Sequence, residues 1–260
     1  MSIYATITGK ADPTTPPGPG SGLPLHAELY LLAHDDDTGA LLINQQALEL
    51  GLAGALMLEL AFAEHVAVGY RYDEFRSEWQ PRPGHLTRCR TEATGNTLLD
   101  AALAAIEQTR RRHSDDEHLR AWLCSFAAAD LYERARAALV AVGLLQRVQR
   151  RRLAGLVRSE VYLPVHYGFA VRARARIRNA VAHHTQTARH RPSSPSDQTA
   201  ALCGLVNALE LAEFLYDAMP LSDLSRWLGQ VAEHQNHVAV TAVVQAVDAG
   251  RGDLAVVAFR

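Results

Sequence analysis

The order of apolar and polar positions along the chain predicts a mainly α protein. Leu25 to Ala33 is an almost unbroken apolar run of helical character. Asp35-Asp36-Asp37-Thr38-Gly39 then has the composition of a turn, and Leu41-Leu42-Ile43 follows as a short strand or the approach to a helix. From Ala47 to Ala63 apolar residues cover nearly every helical face, the pattern of a helix buried inside a bundle. Gly51, Ala53, Gly54 and Ala55 within it are small enough to let a neighbouring helix come close. Between His65 and Thr91, Val66/Val68 and Tyr70/Tyr72 alternate, which predicts short strands. A turn at Thr94-Gly95-Asn96-Thr97 leads into a helix from Leu98 to Thr109, with Leu98, Leu99, Ala102, Leu103 and Ile106 on one face. Arg110 to His118 is a charged loop. Leu119 to Val142 reads as one helix, with Gly143 as its C-cap.

The second half opens on an arginine-dominated stretch, Gln146 to Arg152. Leu153 to Tyr167 is apolar-rich and β-prone, and predicts a β-hairpin or extended excursion with Pro164 at an edge or turn. Phe169 to His184 reads as helix. The polar linker His190 to Ser196 separates it from a further helix, Thr199 to Asp217, and from elements at Leu221 to Ala232 and Val238 to Val247. There is no convincing internal repeat. Residues 1–22 form a Pro/Gly-rich tail, and the length of the chain suits one large domain or two small ones.

Composition fits a globular chain: 260 residues, 48% hydrophobic and 21% charged. Only one of the 26 cations is lysine (Lys10), an arginine bias associated with GC-rich genomes. The formal net charge of −2 hides an asymmetry. Between Arg134 and Arg191 there are 13 arginines and one acid, Glu160, a local charge of +12 that leaves −14 on the rest. Cys89, Cys124 and Cys203 are far apart and odd in number, which argues for a reducing compartment. No signal peptide is visible, and Glu49 and Glu59 interrupt the longest apolar stretch, so any membrane contact is expected to be peripheral and the location cytoplasmic.

The phosphate-loop, dinucleotide, zinc-protease and nucleophile-elbow signatures are absent, which lowers the prior for an enzyme. The acidic turn looks like a turn rather than a cation site. His183-His184 and His234/His237 lack an evident third ligand, so no metal and no cofactor is implied. The basic stretch is the sharpest feature. Arg147, Arg150, Arg151 and Arg152 precede the apolar excursion, and Arg172, Arg174, Arg176 and Arg178 follow it in two helical rows. Arginines flanking an apolar hairpin suit an anionic lipid surface, charges to headgroups and Leu and Tyr to the interface. The same arginines could instead pair with acids of the body. Aromatics are not interleaved with them at stacking spacing, so nucleic acid is not an expected partner.

The sequence resembles the Golgi phosphoprotein 3 family. Five blocks carry the resemblance in family order: LPLHAELYLLAHDDDTG (23–39), GLAGALMLEL (51–60), GNTLLDAAL (95–103), ERARAALVAVGLL (133–145) and AALCGLVNALELAEFL (200–215). Its arginine bias is consistent with the family's bacterial members. The resemblance implies a single compact, mostly helical domain over residues 23–250 around the central apolar helix, a C-terminal tail at 251–260, and a protruding apolar β-hairpin used in membrane contact and self-association. Eukaryotic relatives are peripheral membrane adaptors that bind phosphatidylinositol 4-phosphate and help retain glycosyltransferases. The family's headgroup pocket, one Trp and three Arg, falls here on Asn44, Ala53, Ala129 and Tyr132, none of which matches.

The expectation is therefore a non-enzymatic peripheral membrane protein that binds anionic phospholipid headgroups. Its headgroup candidates are Arg134, Arg136 and the eight arginines named above. Its membrane or oligomer hairpin comprises Leu153, Leu156, Val157, Val161, Tyr162, Leu163, Val165 and Tyr167. The alternatives are a homo-oligomeric protein–protein scaffold without a lipid role, and a metal-dependent enzyme built on the acidic turn or the histidines.

Overall fold

A computed structural model describes residues 22–73, 76–112, 118–152, 157–186, 196–216, 220–234 and 237–258. Among these residues the chain is mainly α. The central element is α2 (Gln45–Phe62), whose apolar residues face inward all round, so that 12 of its 18 residues are buried. Asn44 caps it: its side-chain oxygen accepts from the backbone N–H groups of Gln46 (2.8 Å) and Ala47 (3.4 Å). Around α2 pack α1 (Leu25–Leu32), α3 (Thr97–Arg112), α4 (His118–Ala127), α5 (Leu131–Ala141), α7 (Asp197–Ala208) and α10 (Val238–Ala258). The close approach foreseen from the small residues is realised at Gly54, where a β-carbon would lie 2.7 Å from a Val247 methyl group of α10. α6 (Gly168–Gln186), the short α8 (Ala212–Leu215) and α9 (Leu221–His234) complete the helical set, with α6 against α1, α7 and α9.

Two antiparallel hairpins are appended to this body. β1 (Val66–Asp73) pairs with β2 (Glu78–Arg88), and β3 (Leu145–Arg152) with β4 (Val157–Pro164). They attach at opposite ends of α2. β1 follows its C-terminus almost directly, whereas β4 meets the turn that precedes its N-terminus. An 18-residue helix separates these ends by about 27 Å.

Several sequence expectations need correction. The arginines of Gln146–Arg152 do not precede the hairpin but form its first strand. Within the expected excursion β4 begins at Val157, and Leu153 and Leu156 lie outside the described residues. Pro164 closes β4 opposite Leu145, an end position where its missing N–H is tolerated. The single helix expected over Leu119–Val142 is two, broken at Ala128–Asp130, where Asp130 is left-handed with φ 52°. Thr199–Asp217 is likewise divided, at Glu210 (φ 56°), into α7 and α8. Residues 251–258 are not a tail; they continue α10.

Candidate functional site

The basic region is organised by the acidic turn between α1 and α2. Asp35 folds that turn, accepting from the Thr38 amide (2.8 Å) and hydroxyl (2.6 Å), which pulls its carboxyl below the ordinary range. Gly39 (φ 68°) ends the turn against β4, where a β-carbon would lie 2.7 Å from the Tyr162 carbonyl oxygen. Only glycine permits both that backbone and that approach. The turn thus docks the root of the hairpin, and Arg150 Nη2 donates to the Asp37 carbonyl oxygen at 2.5 Å.

The arginine rows of α6 flank its buried stripe of Ala173, Ile177 and Val181. Two of them turn into the body. Arg174 donates to Asp36 at 2.6 Å, and Arg176 pairs with the buried Glu28. Arg172 lies over the Phe169 ring, 4.8 Å from its centroid, and Arg178 is exposed. On the hairpin, Arg147 pairs with Glu160. Arg151 and Arg152 lie on β3, where the register sets Arg151 opposite Arg158 and Arg152 opposite Val157. Leu163 is buried and belongs to the hairpin's root. Val161 and Tyr162 are half-buried, whereas Val165 and Tyr167 are exposed beyond the end of β4.

An aromatic stack stands beside the hairpin. His34 lies between Tyr30 (ring centroids 4.2 Å apart) and Tyr132 (5.8 Å). His34 Nδ1 is 2.7 Å from the Tyr30 carbonyl oxygen, so it carries the proton and donates. Nε2 is then the acceptor for the Tyr132 hydroxyl at 3.0 Å. Burial lowers the His34 pKa; the bond to the Tyr30 carbonyl opposes that shift and the Arg136 charge adds to it. Arg136 pairs with Glu133 and spans the rings of Tyr132 (5.5 Å) and Tyr162 (4.1 Å), joining α5 to β4. Arg134 lies over Phe126 at 5.2 Å.

A family model described as Golgi phosphoprotein 3 (GPP34) matches residues 25–249. The chain belongs to this family. No curated protein matches it. The four positions that stand where the family's headgroup pocket lies are now placed. Asn44 caps α2, Ala53 is fully buried, Ala129 is exposed in the α4–α5 break, and the Tyr132 hydroxyl is engaged by His34. None presents a cation there.

Among the described residues no group of three or more His, Cys, Asp or Glu is placed to hold a metal, and no helix is long and apolar enough to cross a membrane. Asp35 and Asp36 are committed to Thr38 and Arg174. Of the histidines singled out, His184 and His234 do meet, with rings 5.1 Å apart, and Gln230 is 3.3 Å from His184. Sequence reasoning missed Asp36, Glu28 and Glu133 as partners of the candidate arginines. Only the last carries a local signal, its i, i+3 spacing from Arg136.

Proposed function

We propose that the chain is a non-enzymatic peripheral membrane protein that binds anionic phospholipid headgroups through the β3–β4 hairpin and its surroundings. The observation that carries this reading is the hairpin's charge pattern. From Leu145 to Pro164 there are five arginines and one acid, and the register opposes Arg151 to Arg158. Like charges directly across a ladder destabilise a hairpin. An anionic surface relieves that cost, and each cation near such a surface contributes about 1 kcal/mol. Exposed Val165 and Tyr167 beside the root supply apolar contact with the interface.

This reading narrows the ten candidate arginines. Arg174 and Arg176 are structural, because their acids are partly or fully buried, and so are the two arginines of α5, Arg134 packed over Phe126 and Arg136 held by Glu133 and the rings of Tyr132 and Tyr162. Arg147, Arg150, Arg151, Arg152, Arg172 and Arg178 remain as the headgroup set, in a site that is not the family's phosphoinositide pocket. Family membership supports an adaptor role in membrane organisation.

Co-sedimentation with vesicles tests the proposal. Binding to phosphatidylserine-containing vesicles is expected to exceed binding to neutral phosphatidylcholine vesicles at low salt and to weaken as salt rises. Equal binding to both rejects the reading.

A second reading, self-association through the same edge, is favoured by the exposed run Val165, Tyr167 and Val171. Light scattering of Val165→Asp/Tyr167→Asp tests it. Leu163→Asp does not, because Leu163 is buried in the root.

A further inference from the structure

A second convergence of chemistry-bearing side chains lies away from the hairpin, where the end of α6 packs against α9. Gln230 and His234 are at i, i+4 on α9 and therefore share a face. His184, in the last turn of α6, meets both of them. Its Nε2 lies 3.3 Å from Gln230 Oε1. The His184 and His234 ring centroids are 5.1 Å apart, with planes inclined at 80°. Trp227, one turn earlier on α9, bears edge-on against His184 at 5.8 Å and so restrains its ring.

As a hydrogen bond, the contact to Gln230 is long, since N–H···O pairs favour about 2.9–3.0 Å. As the spacing of two ligands on one ion it is ordinary. Two donors each about 2.1 Å from an ion, at roughly 90–109°, lie about 3.0–3.4 Å apart. An imidazole centroid lies about 1.1 Å behind the ligating nitrogen, so two rings on one ion have centroids about 4.5–5.2 Å apart. Both observed separations fall within these ranges, and they are independent, one involving the body of α9 and the other its end. Two imidazole nitrogens and an amide oxygen suit a borderline dication such as Zn²⁺ rather than Mg²⁺ or Ca²⁺, which take oxygen sets. Because one donor is glutamine, the set is not one of the His, Cys, Asp and Glu clusters absent above. His184 and Gln230 are half-buried and His234 is exposed, which leaves an ion a way in from solvent. Arg226, over the Trp227 ring, is paired with Asp223 at 3.1 Å, so an acid offsets its charge.

We infer that His184, Gln230 and His234 bind a dication of the Zn²⁺ type, with water completing its coordination, and that the ion staples the end of α6 to α9. None of the three belongs to the headgroup set, so this inference stands or falls apart from the lipid proposal.

Calorimetric titration of the full, untagged chain with zinc chloride tests it. Saturable binding at a single site is expected, with micromolar affinity. His184→Ala and His234→Ala are each expected to weaken it by about tenfold or more. Gln230→Glu puts a carboxylate where the amide oxygen stands and is expected to tighten it by about threefold or more. His183→Ala and His237→Ala, the other members of the two histidine groupings, should leave the affinity unchanged. Magnesium chloride should show no saturable binding. Zn²⁺ should raise the melting temperature of the parent but not of the His184→Ala/His234→Ala double variant, as stabilisation by a ligand of the folded state requires.

No saturable Zn²⁺ binding at millimolar concentration overturns the inference. Unchanged affinity in both alanine variants, in chains that melt near the parent temperature, overturns the location. Unchanged or weakened binding in Gln230→Glu overturns the third ligand. Should an alanine variant unfold, Gln230→Glu carries the test, because a gain of affinity does not come from lost structure. Equal binding of Mg²⁺ overturns the assignment to a nitrogen-rich site.

Discussion

Arg174 of α6 donates to Asp36 across 138 residues of sequence, at 2.6 Å and with both side chains about a quarter exposed. The bond ties the first half of α6 to the turn that also holds the root of the β3–β4 hairpin. It shows where part of the local +12 goes. Acids contributed by the acidic body, Asp36 and Glu28, reach into the basic region and neutralise it from within. The arginines left over are concentrated on the hairpin and the outer side of α6.

The Arg174–Asp36 pair is expected to be coupled by about 1 kcal/mol, the upper end for a partly exposed ion pair. A double-mutant cycle of Arg174→Ala and Asp36→Ala, read by urea denaturation, measures the coupling. A coupling indistinguishable from zero would show that the pair orders nothing.

Arg176→Met is expected to be more costly, because it leaves Glu28 buried without its cation, a situation worth about 3–5 kcal/mol. Burial raises the Glu28 pKa above its ordinary 4.5, with Arg176 opposing the rise. A raised carboxyl contributes stability below its unfolded pKa and loses it as pH rises through the folded value. Removing Arg176 moves the folded value higher still. The destabilisation should therefore be smaller near about pH 5 than near about pH 7. Melting curves at both values check the sign, and Glu28→Gln in the same background should remove the pH dependence.

The central helix, the acidic turn and the order of helices were legible in the sequence because each rests on local periodicity or turn chemistry. What escaped is set by distant contacts or by unusual backbone. Gln146–Arg152 has no strand signature, since arginine is neither β-branched nor apolar; it becomes β3 because it pairs with β4, whose root is seated by Gly39. Asp36 and Glu28 lie 138 and 148 residues from their arginines, so no spacing rule connects them. The helix break at Asp130 carries no Gly or Pro to announce it.

Asp130 is left-handed and makes no side-chain capping bond at the start of α5. A β-branched residue there should be costly: Asp130→Val is expected to lose about 1–2 kcal/mol. Asp130→Gly should stay within about 0.5 kcal/mol of the parent, since relief of strain offsets the added freedom of the unfolded chain. If valine is tolerated as well as glycine, the break between α4 and α5 is not held at this residue.

His34 supplies a second pH dependence, of opposite sign. Its pKa is lowered from 6.5 chiefly by burial, so its contribution is present above that value and is lost as pH falls through the folded one. Protonation would also take from Tyr132 the acceptor at Nε2. The parent protein should lose more stability between about pH 7 and about pH 5 than His34→Phe, which keeps a stacked ring but does not titrate. Paired melting curves of the two chains provide the comparison, and identical slopes would acquit His34.

The division of the arginines gives the lipid proposal its sharpest test. Replacing Arg150, Arg151 and Arg152 by Glu converts three cations of β3 to anions and should abolish binding to anionic vesicles, at about 1 kcal/mol for each cation lost and more for the repulsion added. Arg174→Ala, matched in size of charge change to a single hairpin variant such as Arg151→Ala, should lower stability and leave vesicle binding intact, because its guanidinium is already committed to Asp36. Arg151→Ala should do the reverse: it removes one of two opposed cations, so the free protein should be no less stable while its vesicle affinity falls by about fivefold. Measuring both quantities on both variants separates arginines that hold the fold from those that meet the membrane. Loss of vesicle binding in Arg174→Ala at unchanged stability would reverse the assignment and move the headgroup site from the hairpin to α6.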